Sequence, residues 1–367
     1  MVRHLYIHIP FCHRICPYCN FYKHTPGGTD HDAFIRALLA ELKKRSRQSV
    51  LRPETIYIGG GTPTALSSKH LGKLLEGITN TLEMGNLAEW NIEANPATFN
   101  HGKAQLMRDS GITRVSLGIQ SWTPSTLATL GRDHSPEDAH AAFETLRECA
   151  FPSLNIDMMF SIPGQSQESW LADLEYTIKL NPDHVSAYNL NYEEDTEFFE
   201  RLRSGEFREN PEQDIAFFTG TMDLLGNAGF EHYEISNYAR PGHHSRHNAA
   251  YWSGADYLGI GPGAFTTLNG IRWRNLADTA NYISAVANGN LAALVTEREE
   301  IDDAAFRAER IALELRTSRG LKAEILRHSQ KKVPELAGEG LVVARDGRIV
   351  LTDKGKLLAD SVASHLL

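Results

Sequence analysis

Six short runs rich in Ile, Val, Tyr and Leu recur through the first 190 residues, and this recurrence constrains the fold more than any other feature. They are HLYIHIP (4–10), TIYIGG (55–60), EWNIEANP (89–96), TRVSLGIQ (113–120), SLNIDMMF (153–160) and HVSAYNL (184–190), each bounded by Gly, Pro or Asn and each of strand length. Stretches of helical periodicity lie between them at 31–46, 67–82, 135–149 and 166–180, and the last opens on Ser-Gln-Glu-Ser, a helix-start pattern. Strand–helix units in succession predict a parallel sheet with helices on its outside. No dinucleotide-type glycine fingerprint follows the first run. The expected fold is therefore α/β, an incomplete (β/α)6 barrel of the TIM type rather than a doubly wound sheet.

In such a barrel, chemistry gathers where strands end. The first run delivers Cys12, Cys16 and Cys19, and the second runs into Gly59-Gly60-Gly61-Thr62-Pro63-Thr64. Glu93, Gln120 and Asp157 come from the third, fourth and fifth runs, so five strands send ligand-type residues to one rim. Three of the four cysteines fall within eight residues, an odd number, and Cys149 lies far away at the end of a helical stretch, where it reads as a small buried hydrophobe. Nothing before Phe11 resembles a signal peptide, so the expected compartment is the reducing cytoplasm, where clustered cysteines hold metal. Cys-x3-Cys-x2-Cys supplies three thiolates, whereas structural zinc takes four ligands. His13 or His24 could complete a zinc site; a [4Fe–4S] cube would instead leave one iron open to a non-protein ligand. A net charge of −9 argues against a nucleic-acid partner, and no apolar run is long enough to span a membrane.

A second informative stretch, EHYEISNYARPGHHSRHNAAYW, gathers His232, His243, His244 and His247 with Arg240, Arg246 and several aromatics. Imidazole ligates iron, aromatic rings pack on a porphyrin and arginines pair with its propionates; a solvated loop is the plain alternative. Beyond about residue 295 the pattern becomes helical, with a hairpin turning at Asp346-Gly347 and a last helix over 353–364. This predicts a winged-helix-like module, without the basic recognition helix that DNA binding needs. The expected division is a core barrel over 1–230, a connecting region over 231–295 and the terminal module over 296–367.

The cysteine loop resembles that of the radical S-adenosylmethionine (SAM) superfamily, Cys-x3-Cys-x-aromatic-Cys, with Tyr18 in the aromatic place. LYIHIPFC, CPYC, GGGTPT, EANP, LGIQS and IDMMFSIPGQ are similar to the oxygen-independent coproporphyrinogen III oxidase family. YEISNYARPG, RHNAAYW and DYLGIGPGA are similar to its heme-chaperone branch, HemW. The resemblance implies a [4Fe–4S] cluster on Cys12, Cys16 and Cys19. SAM would chelate the open iron through its amino and carboxylate groups. An electron passed on from a donor protein would then cleave SAM to methionine and a 5′-deoxyadenosyl radical. It places SAM contacts at Tyr6, Gly60, Gly61, Thr62, Glu93, Gln120, Arg132 and Asp157, with Tyr18 beside the cluster, and a heme ligand at His247 of HNxxYW. The implied partners are heme, acceptors such as respiratory cytochromes, and through them a membrane surface.

Three departures bear on function. Phe265 stands where relatives often carry His after Gly-Ala, Phe21 stands where true oxidases have a further cysteine, and the first strand begins at residue 4, where oxidases carry a longer N-terminal segment. The expected function is thus a heme chaperone. Oxidative decarboxylation of coproporphyrinogen III and radical SAM methyl transfer are the alternatives, and whether the chain is an enzyme stays open.

Overall fold

A computed structural model of the chain describes residues 1–367, the side chain of His328 excepted. The six expected strands form, as β1 (Val2–Ile9), β2 (Leu51–Gly60), β3 (Glu89–Ala94), β4 (Arg114–Gln120), β5 (Ser153–Phe160) and β6 (His184–Asn189). Each pairs in parallel with the next, so all their carboxyl ends meet at one rim. Six further strands extend the same sheet: β7 (Glu231–Glu234), β8 (Asn237–Ala239), β9 (Tyr257–Ile260), β10 (Phe265–Leu268), β11 (Ile271–Asn275) and β12 (Val295–Glu300). The order β12-β11-β10-β9-β1-β2-β3-β4-β5-β6-β8-β7 never returns on itself, so the barrel is partial, as the pattern predicts. The strands on the far side of β1 escaped the sequence reading because only β9 is parallel to it, and the rest are short antiparallel pieces.

Helices His31–Ser49, Ser68–Thr81, Pro136–Glu148 and Gln167–Lys179 occupy the expected places. Asp30, Ser67, Ser135 and Ser166 start them by accepting a backbone N–H from inside the first turn, and Ser135 with Asp138 closes a reciprocal capping box. Their apolar faces cover the outside of the sheet, and a continuous core runs from Val2 to Leu294. Strand residues there are buried on both faces, which is why the runs read as nearly unbroken apolar sequence.

One buried ionic knot ties the first helix to the last strands. Glu41 is wholly buried; its Oε1 accepts from Arg45 Nε at 2.7 Å and Asn275 Nδ2 at 2.9 Å. Its Oε2 accepts from Tyr282 Oη at 2.7 Å and the Gly261 N–H at 3.0 Å. Four donors around one carboxylate offset the cost of burying it.

The C-terminal module has its own core of Ile311, Leu315, Leu321, Val342, Ile349 and Val362. Its hairpin turns at Asp346 (φ 50°) and Gly347 (φ 73°), both in the left-handed region that a two-residue turn requires. The expected single last helix is two, Asp353–Lys356 and Ala359–Leu366. Close packing explains the break: a Cβ on Gly355 would lie 1.9 Å from the Leu341 carbonyl oxygen, so the first piece is pinned against that strand, and Leu358 leaves helical geometry. Contacts to the barrel include Lys356 Nζ with His232 Nδ1 at 3.2 Å and a backbone bridge between Glu234 and Thr317. No helix among the described residues is long and apolar enough to cross a membrane.

Glu41→Ala strips the acceptor from four buried donors at once. Denaturant unfolding should show a loss of about 3–5 kcal/mol, the usual result of orphaning a buried charge; a loss under about 1 kcal/mol would mean that the knot is not what holds Gly261 and Asn275 in place.

Candidate functional site

The cysteine loop is a closed excursion from the end of β1. Its ends are stitched by His24 N–H to Pro10 O at 2.8 Å and Cys12 N–H to His24 O at 3.1 Å. The glycine-rich loop after β2 is laced to it, Gly61 N–H to Ile9 O and Thr62 N–H to Phe11 O, both at 2.8 Å. A Cβ on Gly61 would sit 2.8 Å from the Phe11 carbonyl oxygen, so no larger residue allows this approach. All three cysteines are free thiols. Thr62 Oγ1 donates to Cys12 Sγ at 3.7 Å, and Arg132 Nη1 donates to Cys16 Sγ at 3.6 Å. Burial pushes the Cys12 thiol up to about 11 and raises Cys19 as well, so both carry protons until something positive displaces them. Tyr18 packs on Phe198 beside Cys16, and burial holds its phenol well above the ordinary range.

The rim residues converge. Glu93, at the end of β3, accepts from Tyr57 Oη at 2.7 Å and the Gly60 N–H at 3.2 Å. Burial raises its carboxyl to about 7, with the nearby Asp157 adding to the shift. Gly60 has φ 111° and lies against the His8 ring. Gln120 also sits at positive φ (74°), beside a bulge between β4 and β5. Asp157 accepts from Ser116 Oγ at 2.8 Å and Asn155 Nδ2 at 2.7 Å. Arg132 donates to Gly118 O at 2.6 Å while its buried Nε has no partner.

Beneath this rim lies a cavity of about 670 Å³. Tyr6, Tyr57, Gly60, Glu93, Tyr188, Glu234 and His247 line it. Tyr6 Oη meets His8 Nδ1 at 3.0 Å, and His8 Nε2 meets Tyr22 O at 2.7 Å, so both nitrogens of His8 are used. His247 belongs to a seven-residue helix, Arg246–Trp252, packed across the lumen. Its Nδ1 is held by Thr55 Oγ1 at 2.8 Å, which leaves Nε2 for an occupant of the cavity. Burial lowers its imidazole to about 3, so it is neutral. Glu89, at the start of β3, holds that helix by accepting from the N–H groups of Arg246 (2.8 Å) and His247 (3.1 Å).

The other histidines of this stretch do not join His247. His232 stacks on Tyr238 at the junction with the C-terminal module, His244 stacks on Tyr233 and pairs with Glu231 at 2.7 Å, and His243 meets Ser153 Oγ at 3.3 Å. Arg240 lies over Phe230, and Arg246 faces a separate outer cleft with His4 and Glu54. Neither arginine lines the cavity; the β7–β8 reversal and the turn at Pro241-Gly242 separate this stretch into differently placed pieces.

A radical SAM superfamily model matches residues 6–177. The heme chaperone HemW of Lactococcus lactis is 33% identical over 374 residues, covering 99% of this chain and 96% of its own. The chain belongs to the HemW family. The heme chaperone HemW of Mycobacterium tuberculosis is 36% identical over 370 residues, with 99% and 94% coverage. The radical SAM enzyme coproporphyrinogen III oxidase (HemN) from Escherichia coli superposes with a TM-score of 0.84 over 100% of this chain and 90% of that one, at 22% identity, and so shares the fold.

Radical SAM membership of this HemW-family chain implies a [4Fe–4S] cluster and SAM. The residues fit both. A cube takes one thiolate per iron, so its ligands need not meet at one point, and among the described residues no three His, Cys, Asp or Glu side chains do. The unpartnered Nε of Arg132 suits an incoming carboxylate. Glu89, Thr55 and Glu234 were missed from sequence: the alternation of β2 and β3 marks Thr55 and Glu89 as inward-facing, yet nothing local marks them as supports for His247.

In the ligand-free chain the cost of Glu93 grows as its carboxyl ionises. A raised folded value contributes stability below the ordinary 4.5 that is lost as pH climbs through about 7. Wild type should therefore lose thermal stability relative to Glu93→Gln across that interval and run parallel to it above. Parallel melting points from pH 4 to 8 would show a solvated Glu93.

Proposed function

We propose that this chain is a heme chaperone of the cytoplasm that carries a [4Fe–4S] cluster and SAM and hands heme to acceptor proteins such as respiratory cytochromes. The observation that carries the reading is the single available imidazole in an aromatic cavity. His8 has both nitrogens engaged, Phe265 stands at the mouth where an imidazole would have offered a second ligand, and His247 keeps Nε2 free. One protein ligand on one face leaves the other face of a heme iron to a ligand from an acceptor, so transfer requires breaking one bond. The names of the HemW relatives support the same reading.

Cys12, Cys16 and Cys19 would each hold one iron, with Tyr18 beside them, leaving the fourth iron to SAM. When bound, the cluster supplies an electron to the sulfonium of SAM. Thr62 and Arg132 donate to the cysteine sulfurs and so temper their charge. Arg132 is suited to the SAM carboxylate, and Gly60 and Gly61 allow backbone approach to its methionine end. Glu93, protonated for part of the time near neutrality, can accept from or donate to an amino or ribose group. Tyr6, Gln120 and Asp157 would add further polar contacts, with Asp157 oriented by Ser116 and Asn155.

Two measurements test this reading. Anaerobic reconstitution should yield about four irons per chain, lost in the Cys12/Cys16/Cys19→Ala triple variant, and Asp157→Ala should weaken SAM binding by about 1–3 kcal/mol. Heme added to the full chain should give a Soret band that His247→Ala shifts or weakens, with iron content and SAM binding unchanged. Decarboxylation of coproporphyrinogen III with stoichiometric SAM cleavage would sink the chaperone reading in favour of the oxidase.

A further inference from the structure

The cavity has one fixed positive charge, and the sequence pattern did not point to it. Among the described residues that line the cavity, Arg274 is the only lysine or arginine. It sits on β11 directly opposite Phe265 of β10, with its guanidinium carbon 5.3 Å from the centre of that ring. The ring steadies the guanidinium at the cavity lining, and a cation set against an aromatic ring is itself favourable. Of the guanidinium's donors, Nη1 goes to Glu297 Oε1 at 3.1 Å, while the buried Nε has no partner at all. A buried, unsatisfied N–H on a permanent cation is costly unless an acceptor arrives. The charge reaches inward as well: Arg274 is among the causes that hold His8 neutral.

The lining is also rich in aromatic faces. Phe21, Tyr251 and Phe265 are exposed, and Trp252 lines the same cavity. The two acidic groups of the lining, Glu93 and Glu234, are both raised by burial to about 7, so neither competes at full charge for the cation. Aromatic faces with one under-used guanidinium match a flat apolar ring system that bears a carboxylate.

Resting on the heme reading above, we infer that Arg274, steadied by Phe265, is the carboxylate anchor of the cavity and takes a propionate of the bound porphyrin. In this role it replaces Arg240 and Arg246, whose guanidinium groups are directed elsewhere. SAM also carries a carboxylate, so the test must separate the two sources.

The full chain, reconstituted with its cluster, is titrated with iron protoporphyrin IX and with the dimethyl ester of the same porphyrin. Wild type should prefer the free acid by about tenfold or more, the value of one charge-assisted hydrogen bond. Arg274→Met should lose that preference while binding the ester as wild type does, and Arg274→Lys should keep part of it. Phe265→Leu, which leaves the charge but removes the ring, should reduce the preference without abolishing it. SAM affinity should be equal in all four proteins. Undiminished free-acid preference in Arg274→Met overturns the assignment while leaving the heme reading intact. Weakened SAM binding with unchanged porphyrin preference moves the anchor to the other carboxylate and also overturns it. Failure of wild type to bind either porphyrin would remove the heme reading and this inference together.

Discussion

The placement of His247 in the lumen depends on one buried carboxylate that lies away from the rim. Glu89 is 5% exposed and accepts from the N–H groups of Arg246 and His247 and from Ser245 Oγ at 3.3 Å. The first N–H groups of a helix have no partners within it and carry the positive end of its dipole, so an anion there is doubly suited. A helix of seven residues has too few internal bonds to hold its own position. Glu89 fixes where it starts, Ser245 caps it by accepting from Asn248 N–H, and His247 consequently points into the lumen rather than out of it. The same strand carries Glu93 next to its carboxyl end, so β3 supports the His247 helix at one end and lines the cavity at the other.

The lumen is polar where most barrel interiors are filled with aliphatic layers. Asn155 bridges Asp157 and His184, donating through Nδ2 to the carboxylate and accepting through Oδ1 from His184 Nδ1 at 2.6 Å, and His184 Nε2 reaches Tyr233 Oη at 2.8 Å. Tyr233 Oη in turn accepts from the Ser245 N–H at 3.2 Å. This chain of bonds runs from the Asp157 carboxylate to the cap of the His247 helix and leaves no member unpaired along the way. A fully paired buried network is rigid, because moving any one group strands its neighbours in low dielectric. The candidate ligand sites at the rim and on the floor are therefore held at a fixed separation by side chains, with no loop between them free to adjust it.

The sequence was most legible where the physics is local. Strand runs buried on both faces, serine and aspartate caps, and the Asp346-Gly347 turn all declare themselves within a few residues, and the structure has each of them. The rim residues were legible because a parallel barrel puts successive strand ends together, so order along the chain becomes position in space. Residues of 231–265 obey no such rule. Histidines and arginines close in sequence there are dispersed by two reversals, and Arg274, nine residues past Phe265, is brought beside it by hairpin register. Glu89 and Thr55 reach their partners across more than 150 residues, a distance that periodicity and spacing do not encode.

Thr55 shows how much such a distant contact decides. Its Oγ1 lies 2.8 Å from His247 Nδ1 and 2.9 Å from His4 Nδ1, and a hydroxyl has only one proton to give. Burial lowers both imidazoles, so each is neutral and carries its proton on one nitrogen. If Thr55 donates to His247 Nδ1, the proton of His247 must sit on Nε2, and no lone pair faces the cavity. If instead His247 Nδ1 donates to Thr55, Nε2 is bare, and the Thr55 proton is free for His4 Nδ1. A metal-binding His247 is thus favoured by His4 in the Nε2–H form, and His4 also borders the cleft that Thr55 shares with Glu54 and Arg246. Ligand readiness inside the barrel is in this way coupled to the hydrogen bonding of a second inward-facing histidine, through a single threonine hydroxyl.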